Sequence, residues 1–174
     1  MRPALRPAAA AVVVAAATAM LSLAACGGSG GGDDAPTRAQ FIAKTDRLCE
    51  ASNRRTRALN IELRRAAAGA NDDTQLLSRL APILERGYGP LRDNAAAFQA
   101  ANPPAGDAAA IERIRKAYDE QAELVRRLAA AAKRGDASAF KALSEKQKDV
   151  VTRARQLTRR YGFRECGSSK SDPA

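Results

Sequence analysis

A chain of 174 residues is long enough for one domain of moderate size and no more. It has no histidine, no tryptophan and only seven aromatic side chains, which excludes His-ligated metal centres and the Glu-x-x-His di-iron bundles. Lysine and arginine number 29 against 19 acidic residues, and the resulting net charge of +10 suits an anionic partner such as phospholipid headgroups, cell-wall polymers or nucleic acid.

The chain opens with a short basic segment, Met1-Arg2-Pro3-Ala4-Leu5-Arg6, followed from Ala8 to Ala25 by a run made almost entirely of Ala, Val, Leu and Met. That order matches the n- and h-regions of an export signal, with small residues where a signal peptidase would cut. An uncleaved transmembrane anchor is the rival, because the run nearly reaches across a bilayer. Leu23-Ala24-Ala25-Cys26 decides between them. An aliphatic residue, two small ones and a cysteine resemble the lipobox of bacterial lipoproteins. The resemblance implies cleavage before Cys26, diacylglycerol on its sulfur, and a domain anchored to the extracytoplasmic face of the cell membrane. Cleavage would remove Arg2 and Arg6 and leave 27 basic against 19 acidic side chains. Residues 26–36 then read as the lipidated cysteine and a Gly-rich linker, whose ten residues after Cys26 reach roughly 17–19 Å as a flexible coil. The Gly27–Gly32 run follows no strand and does not fit Gly-x-Gly-x-x-Gly, so it is no phosphate loop.

Lipidation of Cys26 leaves Cys49 and Cys166 as an even pair, and in an oxidising compartment a disulfide is their expected fate. A metal site or a redox thiol are the alternatives. Two isolated cysteines without histidine or a Cys-x-x-Cys pair make poor zinc ligands.

Residues 37–167 read as a helical domain and 168–174 as a disordered tail. Alanine dominates the apolar content, and no alternating Val/Ile/Thr/Tyr run supports a strand after position 27. Thr37-Arg38-Ala39-Gln40 fits a capping box opening a first helix over about 38–68, with Phe41, Thr45, Leu48, Ser52, Thr56, Leu59 and Leu63 facing inward. Asn71-Asp72-Asp73-Thr74 starts a second, in which Leu77, Leu80, Leu84, Gly87, Leu91, Asn94 and Phe98 keep a 3-4 spacing. Pro82 and Gly87-Tyr88-Gly89-Pro90 predict a break or kink there, giving two collinear halves over about 74–86 and 90–101. Asp107 is expected to cap a third helix with Ile111, Ile114, Tyr118, Gln121, Val125, Leu128 and Ala132 inward. Gly135 stops it and Asp136 caps a fourth, with Phe140, Leu143, Gln147, Val150, Ala154, Leu157 and Tyr161 inward. The shared spacing predicts an all-α fold, an up-down-up-down four-helix bundle with a kinked second helix.

Three short segments, Phe41–Cys49, Pro103–Asp107 and Tyr161–Gly167, resemble a family of small exported bacterial lipoproteins known mainly as helical bundles. The resemblance spans roughly 37–167; it implies pairing of Cys49 with Cys166 and no chemistry. Cys49 lies about 18 Å into the first helix at 1.5 Å per residue, so residues 162–166 must fold back along the bundle, or that helix starts later.

Candidate chemistry is sparse. Ser138-Ala139-Phe140-Lys141 matches Ser-x-x-Lys, but Ser-Asp-Asn and Lys-Thr-Gly are absent, so it reads as a polar first turn. Glu112, Asp119, Glu120 and Glu123 read as an ion-paired outer face, Glu112 with Lys116 and Glu123 with Arg127. No catalytic residue and no cofactor is expected, and nucleic acid is a poor fit for an exported chain short of stacking aromatics. The bundle topology gathers Arg38, Lys44, Arg47, Arg155, Arg159, Arg160 and Arg164 at the tethered end. Such a basic pole facing anionic headgroups gains about 1 kcal/mol per well-placed cation. The expected role is a non-enzymatic binding or scaffold module of the cell envelope, held to the bilayer through acylated Cys26 and acting on headgroups or an envelope protein. The alternative is a carrier of a small apolar ligand between the helices, with Asn94, Gln121 and Gln147 as orienting groups. A large cavity around those three residues would favour the carrier, and a tightly filled core the protein partner.

Overall fold

The computed structural model describes residues 35–100 and 102–168. The expected signal peptide, Cys26, the glycine linker and the tail beyond 168 lie outside the described residues. Four helices follow in order: α1 Arg38–Ala68, α2 Asp73–Ala100, α3 Ala108–Lys133 and α4 Ala137–Tyr161. Among the described residues no strand forms, and no helix is long and apolar enough to cross a membrane.

Local chemistry sets most of the ends. At α1 the capping box is complete: Gln40 N–H donates to Thr37 Oγ1 at 3.3 Å and Thr37 N–H donates to Gln40 Oε1 at 2.9 Å. Asp72 Oδ1 accepts from Gln75 N–H at 2.7 Å at the start of α2, and Asp136 Oδ1 accepts from Ala139 N–H at 2.9 Å at the start of α4. Gly162 ends α4 with φ +112°, a left-handed geometry that favours glycine. Asp107 departs from expectation, because its side chain caps nothing. Its carboxylate instead accepts from the Tyr161 hydroxyl at 2.7 Å and faces the Arg38 guanidinium at 3.7 Å. A phenol and a cation from other elements outbid the local N–H groups.

α2 runs unbroken from Asp73 to Ala100 with Pro82 and Pro90 inside it, rather than as two halves. Each interior proline costs about 3 kcal/mol. Against that, α2 buries Leu77, Leu80, Ile83, Leu84, Leu91 and Phe98, at about 1.5–3 kcal/mol for each large side chain. Burial wins, and the continuous 3-4 spacing is the sequence trace of that outcome.

Two apolar clusters define the bundle's ends. Phe41, Phe98, Ile111, Ile114, Tyr118, Tyr161 and Phe163 surround the cystine at one end. Leu77, Leu80, Ala81 and Leu84 meet Leu128, Ala129 and Ala132 at the other, with Leu63, Phe140 and Leu143 against them. Each helix contributes to both clusters. α1 packs on α2, α2 on α3 and α3 on α4, whereas α1 and α4 make no close backbone approach among the described residues. On α1 the inward stripe is Phe41, Thr45, Cys49 and Ser52; Leu48, expected inside, is 47 % exposed. The covalent bond at Cys49 fixes that rotation.

Candidate functional site

Cys49 and Cys166 form a disulfide across 117 residues, with Cα atoms 5.1 Å apart. Since α1 does start at Arg38, the chain after α4 folds back along it. The device that turns it is Asp46, one turn before Cys49. Its carboxylate accepts from the backbone N–H groups of Arg164, Glu165 and Cys166 at 3.0, 3.0 and 3.1 Å. Asn53 donates to the Glu165 carbonyl at 2.9 Å, and Phe163 enters the ring cluster against Phe41, Phe98 and Tyr161 at centroid distances of 5.0–6.0 Å. The returning segment therefore forms one wall of the molecule's interior.

Further along the bundle, where α1 and α4 stay apart, lies a cavity of about 340 Å³ with all four helices in its walls. α1 contributes Thr56, Leu59, Asn60 and Leu63; α2 contributes Ile83, Leu84, Gly87 and Leu91. Gln121, Val125 and Leu128 come from α3, and Gln147, Val151 and Arg155 from α4. A smaller pocket of about 70 Å³ shares Thr56, Leu91, Gln121, Val151 and Arg155 with it and adds Asn94, Tyr118, Gly167 and Ser168. The three polar residues that interrupt the inward stripes are thus brought together here, Gln121 and Gln147 on the cavity and Asn94 on the adjoining pocket. The Oε1 atom of Gln147 is buried and finds no hydrogen-bond partner among the described residues. Gly87 opens space on the α2 wall, where an added Cβ would stand 3.9 Å from Leu59 and Val125.

Thr56, Gln121 and Arg155 are shared with the smaller pocket, and Leu63, Leu84 and Leu128 belong to the apolar cluster at the other end; Asn60 and Gln147 also line the cavity. Tyr118, buried beside Arg155, has its phenol pushed above the ordinary tyrosine value by burial, against the opposing pull of the Gly167 N–H and of Arg155.

The expected basic pole divides. Arg38 is fastened at the aromatic end, its guanidinium 4.3 Å above the Tyr161 ring and donating to the Tyr161 carbonyl at 2.9 Å. Arg155 lines the cavity, since it continues the spacing-of-four row Gln147, Val151, Arg155 on α4. That row was legible in the sequence and points to Arg155 as a wall residue; grouping by helix end concealed it. Lys44, Arg47, Arg159, Arg160 and Arg164 are exposed, and Lys44 and Arg47 flank a shallow groove with Pro36, Gln40 and Asn102.

The other candidates stay on the surface. Ser138 and Lys141 are exposed. Glu112 binds Arg115 at 2.6 Å and Lys116 at 3.7 Å, and Arg115 holds its carboxyl below the ordinary value. Glu123 pairs at 2.7 Å with Arg126, three residues on, rather than with Arg127, and Arg126 lowers its pKa in the same way. Asp119 is bound by Arg115, and Glu120 by Arg153 and Lys146. Among the described residues no group of three or more acidic or cysteine side chains is arranged to hold a metal ion. No protein-family model matches the chain, and neither any curated protein nor any solved structure is significantly similar to it.

Proposed function

We propose that this chain is an extracytoplasmic lipoprotein, anchored through acylated Cys26, whose helical domain carries a small and mostly apolar molecule between its helices. The lipobox-like Leu23–Cys26, the export-like segment before it and the pairing of the two remaining cysteines support the anchoring. One observation carries the carrier reading: Gln147 Oε1, buried and without a partner among the described residues, on the wall of a cavity whose volume falls at the lower end of the range for small-molecule sites. An unsatisfied buried acceptor costs about 1–3 kcal/mol. A bound hydroxyl or amide N–H would meet it.

The test is native and then denaturing mass spectrometry of the protein taken from its own membranes. Loss of residues 1–25, added acyl mass and two missing hydrogens would establish the anchor and the bridge in one spectrum. A further mass that survives native spraying and leaves on denaturation is expected, and less of it with Gln147→Leu. The same variant should raise the unfolding free energy by about 1 kcal/mol, because it removes the unsatisfied acceptor. A carrier would show stability and loading moving in opposite directions; no co-purifying mass, with Q147L changing stability alone, would end this reading.

A second reading, a scaffold module acting on anionic headgroups, draws on exposed Lys44, Arg47, Arg159, Arg160 and Arg164 and on exposed Leu48 beside Arg47. It requires the protein to prefer anionic over neutral vesicles at low salt, and equal binding to both would dismiss it.

A further inference from the structure

We propose that the groove between the second half of α3 and the first half of α4 is a docking surface for a partner protein, and that its occupant is an acidic amphipathic helix. The groove shares no residue with the cavity, so this inference stands apart from the carrier reading.

Charge marks the surface. Arg126, Arg127 and Arg134 on α3 and Lys146 on α4 line an open groove of about 610 Å³, and all four are exposed. Between positions 126 and 146 the chain carries six basic residues and two acidic ones, Asp136 and Glu145. Both acids are engaged: Asp136 accepts from Ala139 N–H and Glu145 pairs with Lys148, each at 2.9 Å. Arg126 is held by Glu123 at 2.7 Å, and Lys146 stands 3.9 Å from Glu120, which Arg153 also binds. Arg127 acts on Glu123 through space, and neither Arg127 nor Arg134 makes a side-chain hydrogen bond or ion pair among the described residues. The helix dipole favours Arg134, just past the end of α3, but fades within one turn and does not account for Arg126, Arg127 or Lys146.

Shape selects the kind of partner. The floor is Ala130, Ala139, Ala142 and Leu143, whose side chains offer no hydrogen bond, on helices whose backbones are bonded internally. An extended peptide pressed on such a floor would bury unpaired amides, at about 1–3 kcal/mol each. A helix satisfies its own backbone. It can lay an apolar stripe on the alanines and Leu143 while carboxylates on its flanks meet the cations. A flat bilayer surface has no such ridge. From Arg126 to Arg134 the wall advances eight residues, about 12 Å at 1.5 Å per residue, so two turns of the partner would span the charged stretch.

The experiment is a fluorescence-anisotropy titration of the full chain in zwitterionic nanodiscs, with empty discs subtracted. The probe is a capped peptide of about eighteen residues, long enough to be helical, with a leucine stripe flanked by glutamates. Its control has the same residues scrambled to remove the stripe. The helical peptide should bind about tenfold more tightly than the scramble, and Arg127→Glu with Arg134→Glu should weaken it by about tenfold or more. Ala142→Gln, a good helix former that raises the floor, should weaken the helical peptide several-fold and leave the scramble unchanged. Equal binding of the two peptides, or no loss in the charge-reversed variant with its urea unfolding intact, would overturn the proposal. Phosphatidylglycerol vesicles that bind through Arg127 and Arg134 where the peptide does not would also overturn it and assign the groove to headgroups.

Discussion

At one end of the bundle Phe41, Phe98, Tyr118, Tyr161 and Phe163 pack edge-on or stacked around a cystine, and a single carboxylate holds three backbone N–H groups in place. In its middle, from Thr56 to Leu63, no aromatic ring among the described residues lines the walls of the cavity, and glutamines stand where leucines would fill it. Both regions draw on the same four helices with the same 3-4 spacing. The contrast teaches that regular spacing guarantees that helices meet, but not that the space between them is filled. Rings and a covalent bond close the bundle at one end. The middle instead keeps a hole whose wall carries one buried acceptor, Gln147 Oε1, without a partner among the described residues.

If stability does reside at the aromatic end, breaking the disulfide is the most damaging single change. Cys49→Ser with Cys166→Ser should lower the unfolding free energy by up to about 4–5 kcal/mol, as expected for a closed loop of more than 100 residues. Urea titration with and without reductant measures it. A loss under about 1 kcal/mol would mean that the rings and Asp46 hold this end without the bond.

A smaller effect probes the same end through pH. Burial pushes the Tyr161 phenol up to about 12, and its hydrogen bond to Asp107 acts in the same direction. A raised folded value means that the protonated phenol is preferred in the folded state. Its stabilising contribution is therefore complete below the ordinary tyrosine value near 10 and is lost as pH rises from there toward about 12. Stability should fall by about 1 kcal/mol across that window after allowing for solvent screening, and Tyr161→Phe should flatten the fall. An equal fall in Tyr161→Phe would assign the loss to other groups.

The smallest expected effect sharpens the contrast from the cavity side. Gly87→Ala places its methyl at ordinary contact distance from Leu59 and Val125 and removes a glycine from a helix interior. It should stabilise by about 0.5–1 kcal/mol in thermal or urea unfolding. Gly87→Phe should fill the space and abolish co-purification of any bound mass. A destabilised G87A would show that α2 needs glycine at this position for its path rather than for the cavity.

Much of the architecture was legible in residue order. The caps at Thr37 and Asp136, the four helices and the inward faces of α2 to α4 follow from short-range chemistry, which depends on neighbours a few positions away. Leu48 and Asp107 were misread for one reason: each is governed by a partner more than 50 positions distant, Leu48 through the cystine at its neighbour Cys49 and Asp107 through Tyr161. The unbroken α2 was also hidden, because proline's local penalty is visible in sequence and the burial that offsets it is not.

The candidate site divides along the same line. Asn94, Gln121 and Gln147 stand out in sequence because a polar residue on an apolar stripe must find a partner or a wet space, whatever the fold. Whether they meet, and whether a void opens between them, is decided by how far α1 stands from α4. The sequence by itself determined the four helices, the caps at Thr37 and Asp136 and the inward faces of α2 to α4, since these depend on backbone hydrogen bonds and periodicity. Only the tertiary structure decided that Arg155 joins the glutamines at one cavity, because a void is the space left over after every pair of helices has packed, and no local pattern encodes it.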